Sequence, residues 1–264
     1  MAETDSDELE IKIDVTDEAI VQPVPKFDWA IYADATFAGL AILIPIPLLD
    51  VFVEWLFKRR MPPAIAKRNG RKLPRPIVFH LNNRPRNWWG CFLWPIALTL
   101  LLLKRLFRTI LYFLTIKEAT DNLSFYWHKA FLIDYMMRRG DLENEQSAKI
   151  AAAAMFHVLD EITTSPLTKL AQQVVSGMNH VLATALRWTR RKQVDDQLQR
   201  TRKEMASAWD SFADYFAELV THYVKTYARF EAEMLRLHVS DGTVPSTETL
   251  ASQLRSKQAE KPKK

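Results

Sequence analysis

The chain has 264 residues, 48% of them hydrophobic and 25% charged, with a formal net charge of +5 and an isoelectric point near 9.2. A single cysteine, Cys91, excludes an internal disulfide framework, and six glycines argue against a sheet-rich enzyme with glycine-shaped loops. The charge is segregated: residues 1–34 carry ten acidic residues against Lys12 and Lys26, whereas residues 58–87 carry ten basic residues and no acidic one.

Residues 1–30 read as an acidic, flexible tail that lacks the charged-then-apolar pattern of a secretory signal. Within it, Leu9 to Val15 alternates as a short strand would, with no obvious partner. The first apolar stretch is Ala35 to Phe57. Its uncharged core, Ala35–Leu49, is 15 residues, which as a helix rises about 22 Å against a hydrocarbon core of about 30 Å. Pro45 and Pro47 interrupt it. Proline lacks an amide donor and disfavours helix in the residue before it, so helix, Pro-Ile-Pro turn and helix is the simplest conformation, with Pro47 in the first turn of the second helix. Such a hairpin over residues 31–60 dips into one leaflet and returns; a single kinked span is the competing reading.

The basic segment 58–87 lies between this stretch and a second, Trp88 to Leu103, which has no charge in 16 residues. Trp88, Trp89 and Trp94 mark one end and Lys104, Arg105 and Arg108 the other, as at headgroup boundaries. Apolar residues continue from Leu106 to Ile116, so residues 88–116 read as one helix leaving the bilayer. Lys58, Arg59, Arg60, Lys67, Arg68, Arg71, Lys72, Trp88, Trp89, Lys104 and Arg105 are the expected headgroup contacts, because a basic block beside apolar segments suits anionic lipid. Nucleic acid is the weaker partner for this block, since Phe79 and His80 are its only rings suited to stacking. Two full crossings place both termini outside, against the basic residues that follow Leu103; a monotopic, cytoplasm-facing arrangement removes that conflict. A buried pair of core helices in a protein without membrane contact is the alternative for both stretches.

Beyond residue 117 the pattern is that of a soluble helical bundle, 118–240. Glu118–Arg139 carries aromatic residues at three- and four-residue spacing, and Gly140-Asp141 stops it. Glu143–Thr163 holds an alanine-rich run of high helix propensity. Ser165-Pro166 is a capped helix start, with helix expected to about Lys192. The last helix carries a heptad-like stripe that includes Met205, Trp209, Phe212, Phe216, Leu219, Tyr223, Phe230, Met234 and Leu237. Trp209, Phe212, Phe216, Tyr223 and Phe230 are the candidates for contact with a partner helix or a second copy; a core within the chain is the other reading. Residues 241–264 read as a disordered basic tail.

Chemistry is sparse. Asp50 and Glu54 are the only acids in the first apolar stretch and share a helical face. They can bind an ion; equally, Asp50 suits the start of the helix after Pro47 and Glu54 stands four residues before Lys58, the spacing of an ion pair. His157, Asp160 and Glu161 have helical metal-ligand spacing, a common pattern in helices. No nucleophile elbow, zinc-protease spacing or glycine-rich phosphate loop is present.

Residues 38–73, with Pro45-Ile46-Pro47, Asp50, Met61, Ile65-Ala66 and Gly70, resemble a helical-hairpin domain of bacterial inner-membrane proteins that also accompanies some bacterial small GTPases. The GTPase module is missing here. The resemblance implies a bacterial membrane-associated helical hairpin and nothing about activity. The expectation is therefore an all-α chain: two apolar membrane-associated helical segments, then a soluble bundle with a long heptad-like C-terminal helix. It is expected to act as a membrane-anchored interaction or scaffold protein at the bacterial inner membrane, without catalysis, cofactor or metal. An ion- or solute-conducting subunit using Asp50 and Glu54 is the alternative.

Overall fold

The computed structural model describes residues 27–44, 49–83, 112–162, 164–185 and 191–241. Residues 1–26 of the N-terminal tail with its possible strand, the Pro45 to Pro47 turn, the stretch Trp88–Leu103 with Cys91, residues Lys104 and Arg105, and residues 242–264 of the basic C-terminal tail lie outside them; residues 27–30, expected as part of the flexible tail, are instead ordered, with Asp28 capping a helix that begins at Trp29, and Asp241 ends the last helix.

The described residues are helical. They form α1 (Trp29–Leu40), α2 (Leu49–Arg68), α3 (Arg75–Asn82), α4 (Tyr112–Arg139), α5 (Glu145–Glu161), α6 (Pro166–Ala185), α7 (Arg191–Ala208) and α8 (Ala213–Asp241). Tight 3-10 turns at Ala41–Leu43 and Trp209–Phe212 follow α1 and join α7 to α8. Local chemistry sets the boundaries. The Asp28 carboxylate accepts from Ala30 N, the Asn144 side chain from Ser147 N at 2.8 Å, and the Ser165 hydroxyl from Thr168 N at 3.0 Å, each satisfying a donor that a helix start leaves open. Gly70 (φ 69°) and Gly140 (φ 94°) end α2 and α4 in the left-handed conformation that other residues resist. At the first of these, Arg71 N reaches back to Ala66 O at 2.8 Å.

One hydrophobic cluster runs from Ile31 to Met234, so the expected boundary near residue 117 falls inside α4 and residues on both sides of it share a core. Helix α4 is central: α1, α2 and α6 lie against it, α3 packs on α5, α5 on α8, and α7 on α6. The tightest approach is α1 on α4. Ala35 and Ala38 are buried with Gly39, and a Cβ at Gly39 would overlap the Leu123 backbone. Beside it, Trp127 Nε1 donates to Thr36 Oγ1 at 2.9 Å, and the Thr36 hydroxyl donates to Tyr32 O.

These contacts correct the reading of the first apolar stretch. Ala35, Ala38, Leu40, Ala41 and Leu43 are buried in the protein's own core. Among the described residues no helix is long and apolar enough to cross a membrane. The basic segment expected as a loop is also helical, since α2 runs on through Pro62 and Pro63 to Arg68, and α3 follows. An interior proline costs about 3 kcal/mol. Two stand here, and burial of Met61, Pro62, Ile65 and Ala66 against the core, at about 1.5–3 kcal/mol for each large apolar side chain, opposes their combined cost.

The C-terminal stripe is divided by the 3-10 turn and faces inward. Trp209, Phe216, Tyr223 and Phe230 are buried, and Phe212 packs against the same cluster. Phe131 of α4 stacks on Phe216 with ring centroids 4.3 Å apart, and Trp209 lies 4.9 Å from Tyr32. The five residues that were candidates for a partner helix are thus used within the chain.

The close approach at Gly39 yields a stability test. Gly→Ala within a helix ordinarily gains up to about 1 kcal/mol. Here the added methyl must push α4 backbone aside, and overpacking of this kind costs about 1–3 kcal/mol. Gly39→Ala is expected to lower the free energy of unfolding by about 1–2 kcal/mol in a urea titration; a stabilised variant would contradict the packing.

Candidate functional site

The basic residues of 58–83 sort into two groups. Arg60, Arg68 and Arg71 face carboxylates. Arg60 Nε contacts both oxygens of buried Asp34 at 3.1 Å, Arg68 pairs with Asp28, and Arg71 approaches Glu143 at 3.4 Å. Farther along, Asn69 donates to buried Asp134 at 2.9 Å, which also holds Arg138. These contacts clamp α2 onto α1 and α4. Three of the expected headgroup cations therefore have protein partners. Lys67 and Lys72 are exposed, and Lys58, Arg59 and Arg75 have no carboxylate within ion-pair distance among the described residues. Trp88, Trp89, Lys104 and Arg105 lie outside the described residues.

The clamp leaves the first half of α2 pointing outward. Val51 is 53% exposed, Phe52 55% and Trp55 50%, with Leu49 and Leu56 beside them and Phe79 of α3 at 62%. Arg59 lies over the Trp55 ring, 5.4 Å from its centroid. Asp50 stands in the first turn of α2, with one carboxylate oxygen buried and without a hydrogen-bond partner among the described residues. Glu54 accepts a 2.6 Å bond from the Tyr126 hydroxyl of α4 rather than pairing with Lys58. Pro45 and Pro47, the other two members of the expected insertion turn, lie outside the described residues. Of the remaining motif residues of 38–73, Met61, Ile65 and Ala66 face the core and Gly70 ends α2.

Two cavities flank Lys58 and Asn82. One, of about 640 Å³, is polar and reaches Lys117, Lys129, Ser124, His128 and Thr168. Lys129 is fully buried; its Nζ donates to Asn82 at 3.3 Å and lies over the Phe156 ring. The other, of about 750 Å³, lies between α2 and α3 and is walled by Trp55, Val78 and Phe79 together with Lys58, Arg59 and Arg75.

The polar cavity ends on a hydrogen-bonded chain that joins three helices. His128 Nδ1 stands 2.6 Å from Ser124 O, and its Nε2 stands 2.6 Å from the Tyr215 hydroxyl. A carbonyl only accepts, so Nδ1 carries the proton and Nε2 receives one from Tyr215. Ser124 Oγ continues to Thr168 Oγ1 at 2.8 Å, and Thr168 Oγ1 to Ser165 Oγ at 2.9 Å. Burial pushes the imidazole down to about 4 and the Tyr215 hydroxyl up to about 12. The histidine is neutral at physiological pH with both nitrogens engaged, and it cannot take a proton from Ser124 through Nδ1. The arrangement ties α4, α6 and α8 together.

His157, Asp160 and Glu161 do share the end of α5, but the histidine faces a cation. Arg229 Nη2 lies 3.1 Å from His157 Nε2, and Glu161 pairs with His222 at 2.9 Å. Burial and then Arg229 and His222 lower the His157 pKa, against Glu161, which raises it. Among the described residues no group of three or more His, Cys, Asp or Glu side chains is placed to hold a metal ion. The sequence held no signal for the His128 chain, because its partners come from separate helices. Tyr215 stands 87 positions away.

No known protein family, curated protein or solved structure matches the chain.

Tyr215→Phe leaves a buried imidazole nitrogen without its donor and is expected to cost about 1–3 kcal/mol of stability. The depressed pKa of His128 means that the unfolded chain binds one more proton between about pH 4 and 6.5. Stability conferred by the neutral ring is therefore complete above pH 6.5 and is lost as pH falls toward 4, by up to about 3 kcal/mol. His128→Gln is expected to flatten the slope of unfolding free energy against pH in that window; an unchanged slope would place the titration elsewhere.

Proposed function

We propose that this chain is a membrane-attached helical interaction protein that sits on one face of the bilayer through the outward half of α2. The observation that carries this reading is the run of exposed apolar side chains at Val51, Phe52, Trp55 and Leu56, whereas most other large apolar side chains among the described residues are buried or partly buried. Soluble surfaces scatter such residues singly; a contiguous set with Lys58 and Arg59 at one end suits the boundary between headgroups and acyl chains. Tryptophan and phenylalanine favour that depth, and Lys58 and Arg59 at the same helix end suit anionic headgroups. The α1–α4 core and the clamp on α2 supply a rigid mount, and the bundle from α4 to α8 is held away from the bilayer as a surface for other proteins. A bacterial inner membrane, with the bundle on the cytoplasmic side, is the setting proposed. No catalytic role is proposed, since the buried His128 is occupied on both nitrogens.

Sedimentation of the full chain with vesicles of phosphatidylcholine and phosphatidylglycerol tests the attachment. Full burial of a large apolar side chain contributes about 1.5–3 kcal/mol. The pair Phe52→Glu and Trp55→Glu should therefore weaken vesicle binding by about tenfold or more, with no loss of helical circular dichroism because both side chains are exposed. Undiminished binding by a folded double variant would reject this face as the point of attachment.

A further inference from the structure

The cavity between α2 and α3 is both apolar and basic. Its walls combine Trp55, Val78 and Phe79 with three cations, Lys58, Arg59 and Arg75, and no carboxylate lines it. The pairing pattern of the basic residues sharpens the contrast. Arg60, Arg68 and Arg71 have Asp34, Asp28 and Glu143 opposite them. The three at the cavity have no such partner among the described residues. Three positive charges beside one apolar wall, uncompensated by the protein, call for a ligand that supplies negative charge and hydrocarbon together.

We infer that this cavity holds the headgroup of one anionic phospholipid, with the phosphate among Lys58, Arg59 and Arg75 and the upper acyl chain along Trp55, Val78 and Phe79. Trp55 belongs both to the cavity wall and to the exposed apolar run on α2, so a lipid seated here continues directly into the proposed membrane face. A volume of about 750 Å³ accommodates a headgroup with its glycerol and the first methylenes, and leaves the rest of the chains in the bilayer. The inference rests on the membrane-surface reading of α2 and adds to it a lipid class and a stoichiometry of one.

The test separates the two. The full chain is titrated calorimetrically with dihexanoyl-phosphatidylglycerol, below its micelle concentration, and with dihexanoyl-phosphatidylcholine. Saturable one-to-one binding of the anionic lipid is expected, roughly a hundredfold tighter than that of the zwitterionic one, because an attraction of about 1 kcal/mol for each of the three basic residues acts only on net negative charge. Arg59→Gln with Arg75→Gln should remove most of the preference. Lys67→Gln with Lys72→Gln removes the same charge away from the cavity and should retain it. Equal affinity for the two lipids, or equal loss in both double variants, overturns the site. Saturable binding of the short lipid by a chain that does not sediment with vesicles keeps the site and rejects the membrane reading. Vesicle binding without saturable short-lipid binding does the reverse.

Discussion

The contact of α1 with α4 at Gly39 and Leu123 determines most of what surrounds it. Two helices approach backbone to backbone only where side chains are small, and α1 offers Ala35, Ala38 and Gly39 on the buried side. With α1 seated this way, Asp34 is buried and directed at α2, where Arg60 neutralises it through contacts to both carboxylate oxygens. A buried carboxylate without that cation would be costly. The same close packing brings Thr36 within reach of the Trp127 indole and Tyr32 within 4.9 Å of the Trp209 ring, so α1 and the 3-10 turn before α8 share one aromatic core. The orientation of α2 follows: its far half is bound by Met61, Ile65 and the Asn69–Asp134 bond, and its near half is left facing out.

Much of the helical scaffold is legible in the sequence because its signals are local. Asn144, Ser165-Pro166 and Gly140 act within a few residues, and the alanine-rich run of α5 and the aromatic stripe of α8 declare a buried face by their spacing. What the sequence conceals is the identity of the apolar medium. Ala35 to Leu56 is a single hydrophobic run by composition, yet Ala35, Ala38 and Leu40 meet protein while Val51, Phe52 and Trp55 meet solvent. Hydropathy measures the cost of water contact and is the same for either destination. The basic block was opaque for a related reason. Arg60, Arg68 and Arg71 look alike in sequence, and their carboxylates stand 26, 40 and 72 positions away.

Charge thus does two jobs in this chain. Part of it joins α2 and the turn after it to the acidic residues at 28, 34 and 143. Lys58, Arg59 and Arg75 gather at the edge of an apolar surface, where no carboxylate pairs with them among the described residues. Buried polar groups are paired within the protein in the His128–Tyr215 bond and the Tyr223–Asp141 bond at 2.7 Å, whereas the cations at this edge have no carboxylate within ion-pair distance among the described residues. The lipid proposed above would supply both the negative charge and the apolarity that this surface lacks a partner for among the described residues.

The central claim is that the first apolar stretch is shared between protein and bilayer, with the division near residues 44 to 49. Photolysis of a lipid-confined carbene reagent, with the unaltered chain bound to anionic vesicles and the modified sites mapped by peptide mass spectrometry, tests it directly. Modification is predicted at Val51, Phe52, Trp55 and Leu56, with Tyr32 to Leu43 protected. Even modification from Ala35 through Phe57 would mean that lipid surrounds the whole stretch, and would contradict the packing of α1 on α4.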